Sequence, residues 1–169
     1  RQICDFEPAE LTLLDSSEHN LYSIDMEISV SHPNIARQTV ISDVRDHKAI
    51  YRLFSDVRPE LVFHAAALKH VPMVEANPCE GVLTNVVGTT NVADACVNTG
   101  VLTMVMISTD KAVNPTNVMG ASKRLSELCF QGVYNDTKDN FTNFSIVRFG
   151  NVLESSGSVI PKFKNQIKQ

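Results

Sequence analysis

The chain predicts an α/β protein built on a parallel sheet. Three observations carry that prediction. Short apolar runs recur along the chain, each closing on a polar residue. Between them lie stretches of ten to twenty residues with helical starts and stops. The unusual polar groups, Asp15, Asp43, His64, Ser108 to Lys111, and Arg148 to Asn151, all fall where a run ends. Strands alternating with helices of that length give parallel sheets covered on both faces, with ligands beyond the carboxyl ends of the strands.

In order, residues 1–7 read as the last turn of a helix. A first strand over 11–14 ends at Asp15. Ser16 or Ser17 caps a helix whose apolar face is broad: Leu21, Tyr22, Ile24, Met26 and Ile28. Val40 and Ile41 form a second short strand ending at Asp43. Asp46 caps a helix that turns Ile50, Leu53 and Phe54 inward, and Pro59 breaks it. A third strand, 61–63, runs into His64 and three alanines, and residues 69–72 read as a mobile segment. A long helix covers 79–98, with Gly100 as its stop. A fourth strand over 102–107 leads to the polar set Ser108, Thr109, Asp110 and Lys111. A helix over 118–134, a strand over 144–149 and a last helix from near Ser158 complete the pattern.

The 169 residues suffice for one domain with a sizeable core. A 43% hydrophobic and 20% charged composition is ordinary for a globular chain. A net charge of -4 without a basic stripe argues against nucleic acid as a partner. No apolar run reaches the roughly 18 residues of a bilayer span, and the opening residues carry no signal-peptide pattern. The four cysteines form no C-x-x-C pair, which points to reduced thiols in a reducing compartment. His64 and His70 lack ligand spacing, so no metal is expected.

A sheet of this kind that binds a dinucleotide needs a first strand and a glycine-rich turn to seat the pyrophosphate on a helix N-terminus. No such turn is present: the first glycine is Gly81, inside a helix. Yet the first strand ends in an acid, as the second strand of a Rossmann fold does. The expectation is therefore a Rossmann-like doubly wound parallel sheet lacking its first strand and glycine loop. Residues 1–169 are then part of an NAD-binding domain, with portions missing at both ends.

Each polar group also has a plainer reading. Asp15 and Asp43 can be helix caps, and Asn85, in an apolar helix, a structural hydrogen-bonder. Met119 can be core packing, and Asp110 with Lys111 a simple ion pair. Against the last reading stand the strand-end position, the adjacent hydroxyls and Lys123 downstream. A desolvated lysine can act as a base, and a carboxyl kept protonated as an acid.

The segments FHAAALKHVPMVE, TNVVGTTNVADA, ISTDKAVNPTNVMGASKR and RFGNVL with the later GSVIP together resemble one known group. These are the nucleotide-sugar dehydratases of polysaccharide biosynthesis, the CapD-like branch of the extended short-chain dehydrogenase/reductases. The UDP-N-acetylglucosamine 4,6-dehydratases match best, from residue 11 to 167. The resemblance implies NAD as cofactor and a UDP-sugar as substrate. Asp15 would bind the adenosine ribose, with Asp43 and Val44 at the adenine. Ala65, Ala66 and Ala67 would line the cofactor path, Asn85 would shape that side of the site, and Lys69 would lie near cofactor and substrate. Lys123 would hold the nicotinamide ribose. Thr109 would contact the C4 hydroxyl, Asp110 would be the acid at C6, and Lys111 the base at C5. Asn151, Gly157, Ser158 and Val159 would contact the UDP phosphates. Glu154 departs from the pattern, where glycine is common.

Met119 stands where most short-chain dehydrogenases carry the catalytic tyrosine, four residues before the lysine. Methionine cannot transfer a proton, so Thr109, Asp110 and Lys111 must. Methionine at this place resembles the large members with transmembrane helices upstream, which retain C5 configuration. The resemblance thus also implies a homo-oligomer in the cytoplasm, held at the cytoplasmic face of the inner membrane by a segment outside this chain. Two readings compete. A nucleotide-sugar epimerase or C4 oxidoreductase has no need of the Asp110–Lys111 pair. A catalytically silent nucleotide-binding module is supported by the absent glycine turn.

Overall fold

The structure, a computed structural model, describes residues 1–136, 141–150 and 166–167. Among the described residues five parallel strands form two sheets. β1 (Glu10–Asp15) pairs with β2 (Ala36–Ile41). β3 (Leu61–His64), β4 (Thr103–Thr109) and β5 (Asn143–Phe149) form the second sheet, with β4 central. Every strand-to-strand connection between paired strands contains a helix, which is what parallel pairing requires.

Helix α1 (Glu18–Ser31) starts at Ser17, whose hydroxyl accepts from Asn20 N. Its expected broad apolar face is narrower in the fold. Leu21 and Ile28 are buried, whereas Tyr22 and Met26 face outward, because α1 packs chiefly on the two-stranded sheet. Helix α2 (His47–Val57) is capped by Asp46, which accepts from Ala49 N, and it ends at Arg58 in the left-handed region. Residues 1–7 form a 3-10 turn (Gln2–Phe6) rather than the end of an α-helix, closed by the Glu7 N to Cys4 O bond.

Of the residues 69–72 read as mobile, Lys69 and His70 are loop, and Val71 and Pro72 open helix α3 (Val71–Ala76). Pro72 lies in its first turn, where the missing N–H costs nothing. The long helix of the reading is real but not uniform. It runs as α4 (Pro78–Val82), one π turn (Leu83–Val87) and α5 (Gly88–Thr99), and stops at Gly100 with φ 75°. α6 (Val118–Asp136) follows β4.

Helices α2, α5 and α6 lie side by side, and the core forms between them and the second sheet. Met104 and Met106 of β4, Val92 and Cys96 of α5, and Phe130 of α6 are its buried centre. Each such side chain stabilises by about 1.5–3 kcal/mol. Phe130 meets Phe144 of β5 edge to face, with centroids 4.8 Å apart.

The other face of the second sheet differs from expectation. Among the described residues helices cover one face only. Leu61, Phe63, Val147 and Phe149 remain exposed on the opposite side. All of Leu11 to Asp15 in β1 are half-buried rather than buried. No hydrogen bond joins β1 to β3; among the described residues, α5 ties the two sheets. Asn91 Nδ2 donates to the carbonyls of Val44 (2.9 Å) and Arg45 (3.1 Å), just past β2.

Candidate functional site at the strand ends

β4 carries its polar set in two directions. Side chains alternate along a strand. Met104, Met106 and Ser108 therefore point into the helix layer, and Thr109 points the other way. The strand extends two residues further than the apolar run suggested, so Ser108 and Thr109 are paired strand residues and not loop. A 3-10 turn (Asp110–Ala112) follows.

That turn brings three predicted catalytic residues together. Thr109 Oγ1 donates to Asp110 Oδ1 at 3.0 Å, and Lys111 Nζ donates to the same oxygen at 3.2 Å. The Thr109 hydroxyl first, and Lys111 second, hold the Asp110 carboxyl below its usual range. Without ligand, the pair is thus a charged carboxylate and ammonium, both partly exposed. This differs from the carboxyl kept protonated that the sequence reading required: both groups are exposed, and the hydrogen bonds from Thr109 and Lys111 outweigh the desolvation of the acid.

Helix α6 presents the second group. Met119 and Lys123 are one turn apart and both buried. Lys123 Nζ donates to the carbonyl of Ile107 at 2.8 Å. Burial pushes its ammonium down to about 8, while the charge of Glu127 opposes that shift. Among the described residues Met119 makes no side-chain polar bond; its carbonyl accepts from Ser122 Oγ at 2.8 Å.

Asn85, in the π turn, has its hydrogen-bonding groups fully used. Its Oδ1 accepts from Leu68 N (2.8 Å). Its Nδ2 donates to Leu68 O (3.1 Å) and to Ser122 Oγ (2.9 Å). It clips the loop after β3, and with it Ala65 to Lys69, to helix α6. Ala65, Ala66 and Lys69 are exposed on that loop and Ala67 is half-buried. One turn on, Thr89 Oγ1 meets His64 Nε2 at 2.9 Å and accepts from Ser126 Oγ at 3.0 Å. Burial, and then the Lys123 charge, push His64 down to about 3, so it is neutral. Among the described residues no cluster of histidine, cysteine and carboxylate could hold a metal.

Asp15 and Asp43 lie at the ends of the paired strands β1 and β2, where Ser42 N donates to Asp15 O. Asp15 Oδ1 accepts from Ser17 N at 2.8 Å, a turn bond ahead of α1, whose cap is Ser17; Asp15 is therefore not the helix cap of the plainer reading. The carboxylate also borders a cleft lined by Leu13, Leu14, Asn20, Leu21 and Ile24. Asp43 takes three bonds from Arg45: N to Oδ1 (2.9 Å), and Nε (2.8 Å) and Nη2 (2.6 Å) to Oδ2. Arg45 reaches on to Glu80 at 2.7 Å. The Val44 side chain is buried against α5, where a β-carbon on Gly88 would fall 2.6 Å from Val44 Cγ2. Asn151, Gly157, Ser158 and Val159, the expected phosphate contacts, lie outside the described residues.

The sequence reading missed several participants. Glu127 is fully buried and bound to Ser108, Arg124 and Arg148. Its signal was present: it stands four residues after Lys123, on the same helical face. Gly120 was also passed over. A β-carbon there would lie 2.6 Å from the carbonyl of Lys111, so only glycine lets α6 approach the Asp110–Ala112 turn. Glu75 of α3 accepts from Val118 N at 2.6 Å, and Asn117 Oδ1 from Gly120 N at 2.8 Å, capping α6 where the site begins.

Comparison with known proteins gives the following. A family model described as polysaccharide biosynthesis protein matches residues 1–169. The capsular polysaccharide biosynthesis protein CapD of Staphylococcus aureus is 48% identical over 169 residues, 99% of this chain and 28% of that protein. A UDP-N-acetylglucosamine 4,6-dehydratase (inverting) of Campylobacter jejuni is 39% identical, over 98% of this chain and 48% of its own. A UDP-glucose 4-epimerase of Rickettsia canadensis is 46% identical over 86% of this chain and 41% of its own. Among solved structures, Pen from Bacillus thuringiensis superposes with a TM-score of 0.87 at 36% identity, covering 96% of this chain and 48% of that one. The chain thus spans half or less of each of these proteins.

Proposed function

Because the chain belongs to the polysaccharide biosynthesis protein family, we propose that it is the catalytic half of an NAD-dependent UDP-N-acetylglucosamine 4,6-dehydratase. The observation that carries this reading is the hydrogen-bonded Thr109–Asp110–Lys111 turn, set at the end of β4 two residues beyond the carbonyl that holds Lys123.

The residues suit a dinucleotide. Asp15 offers one carboxylate oxygen toward its cleft for a ribose diol, and that charge disfavours a 2′-phosphate. Asp43 would meet the adenine only by sharing its oxygens with Arg45, and the Val44 backbone lies beside it. Lys123 is buried with a carbonyl as its partner, so a ribose hydroxyl would give it a second. Bound there, the nicotinamide would take a hydride from sugar C4 and return it to C6.

The chain's own work is proton transfer. Thr109 orients the C4 hydroxyl, whose proton would pass to solvent as C4 gives up its hydride. The resulting ketone acidifies the C5 proton, which Lys111 must remove as a free amine while Asp110 protonates the leaving C6 hydroxyl. The ligand-free pair holds the opposite charges. Moving one proton along the 3.2 Å hydrogen bond, from Lys111 Nζ to Asp110 Oδ1, yields the amine and the carboxylic acid together. A bound sugar that expels water penalises the charged pair and favours this neutral one. The proton that Lys111 takes from C5 must later be replaced there, by Lys111 or by water. Met119 contributes no proton, and its presence supports retention at C5.

The remaining expectations belong to the same reading. A strand preceding residue 1 would pair with the free edges of β1 and β3, and its glycine turn and helix would cover Leu61 and Phe63. Self-association and a membrane anchor upstream complete the reading; among the described residues no helix is long and apolar enough to cross a membrane.

The full-length protein tests the roles. Asp110→Asn and Lys111→Met should each lower dehydration at least a hundredfold while leaving NAD affinity within about threefold; normal turnover in both would remove the assignment. The Rickettsia relative favours 4-epimerisation as the second reading. An epimerase would keep C4 inversion in Lys111→Met.

A further inference from the structure

Glu127 is the most fully engaged side chain near the site and has no role in the chemistry above. Its carboxylate is completely buried and accepts four hydrogen bonds. Oε1 takes Ser108 Oγ (2.7 Å) and Arg148 Nε (2.9 Å); Oε2 takes Arg148 Nη2 (2.6 Å) and Arg124 Nη1 (2.9 Å). The Arg148 contact is a two-pronged fork, the most directional form of such a pair.

The partners are not scattered. Ser108 and Arg148 face each other as one rung of the β4–β5 ladder. Thr109 and Phe149 form the next rung, and beyond it a β-carbon on Gly150 would lie 3.8 Å from Asp110 Oδ2. One helical turn before Glu127, Lys123 hooks the carbonyl of Ile107, the residue before Ser108. Helix α6 therefore grips β4 at two consecutive residues immediately before the catalytic turn, and grips β5 through the same carboxylate.

We propose that Glu127 is a positioning residue for the dehydration: by holding Ser108 and Arg148 at once it locks the last rungs of β4 and β5, and so fixes where Thr109, Asp110 and Lys111 meet the sugar. The proposal rests on the dehydratase reading. A second effect follows from charge. Burial raises the Glu127 carboxyl, but the bonds from Arg148, Ser108 and Arg124 outweigh it and hold the group down at about 2. It is an anion at every working pH, and it supports the ammonium of Lys123. The charged or titratable groups around this pair are Arg124 on α6, Arg148 on β5 and His64 on β3. The arginines do not titrate, and His64 is neutral above about 3.

The test uses the full-length protein, with water loss from UDP-N-acetylglucosamine as the assay. Glu127→Gln keeps the shape and removes the charge. The expected result is a kcat at least tenfold lower, a KM changed less than threefold, and an alkaline limb of the kcat–pH profile moved to lower pH as Lys123 loses its counter-charge. Wild-type kcat with an unmoved limb would overturn the proposal, as would a lower melting temperature with kcat intact. Ser108→Ala removes a single hydrogen bond and no charge. It should lower kcat several-fold and leave the limb in place. If Glu127→Gln does not fold, Ser108→Ala decides alone, and wild-type kcat there overturns the proposal. A wild-type protein that releases no water at all refutes the dehydratase reading and is distinguished from both outcomes.

Discussion

Gly120 and Gly132 lie on the same helix and make opposite demands. A β-carbon at Gly120 meets the Lys111 carbonyl at 2.6 Å; at Gly132 it meets nothing within 4 Å. Gly120→Ala should destabilise by about 1–3 kcal/mol through overpacking and displace the Asp110–Ala112 turn, lowering kcat roughly tenfold or more if that turn has the proposed role. Gly132→Ala should stabilise by about 0.5–1 kcal/mol, because alanine costs less entropy in a helix interior. Thermal unfolding and steady-state rates on the two variants check both signs. At this scale the sequence was informative about chemistry and silent about direction. Asp110, Lys111 and Lys123 stood out because such groups at a strand end need a reason. That Ser108 turns inward and Thr109 outward depends on β4 continuing past its apolar run, and an apolar pattern does not mark where pairing stops. Glu127 was passed over because one acid in a helix of mixed polarity is ordinary; only the fold shows it buried.

At the scale of elements, the π turn Leu83–Val87 is where α4 and α5 meet, and Asn85 sits within it. Such turns often mark functional sites. Here it sets the Asn85 amide against both backbone groups of Leu68. Asn85→Ala should leave both backbone groups of Leu68 without their partner, and Ser122 with its bond to Met119 O alone, at a cost of about 2–4 kcal/mol, several times the average for one hydrogen bond. Hydrogen exchange at the Leu68 amide should then rise before that of the core strands. α3 shows why this region was misread. Pro72 looks like a breaker in a short polar segment, but a proline in the first turn is compatible with a helix, and the segment has too few residues for periodicity to show. α1 erred the other way. Five apolar residues suggested a broad face, yet a helix resting on two strands buries only a narrow stripe.

For the molecule as a whole, acid stability follows from two buried groups with depressed pKa. His64 is lowered from 6.5 to about 3, so the unfolded chain takes up a proton first as pH falls. Its contribution is full above pH 6.5 and is lost on the way to 3. Glu127, lowered from 4.5 to about 2, adds a second loss between those values. Lys123 has the same sense in a higher pH window. Its folded value of about 8 lies below 10.5, so stability from this group rises with pH between the two. Urea unfolding across pH should show these slopes, and His64→Gln should flatten the one between 6.5 and 3. The α/β class, the strand order along the chain and most helix caps were legible in the sequence, because period and capping chemistry are local. The coverage of the sheet was not. A fully covered sheet was expected, yet Leu61, Phe63, Val147 and Phe149 are bare among the described residues. Hydrophobicity shows that a face wants covering, and not which segment covers it. If a preceding strand and glycine turn do so, residues 1–169 alone should bind NAD far more weakly than the full-length protein; micromolar affinity for the isolated segment would argue against that completion.

The central claim is that the Asp110–Lys111 pair removes water across C5 and C6 of a UDP-sugar. The most direct measurement is mass spectrometry and NMR of the product formed from UDP-N-acetylglucosamine by the full-length protein in deuterated water. The account predicts loss of one water, a 4-keto-6-deoxy sugar, and solvent deuterium at C5. A product of unchanged composition, inverted at C4 and free of deuterium at C5, would contradict it.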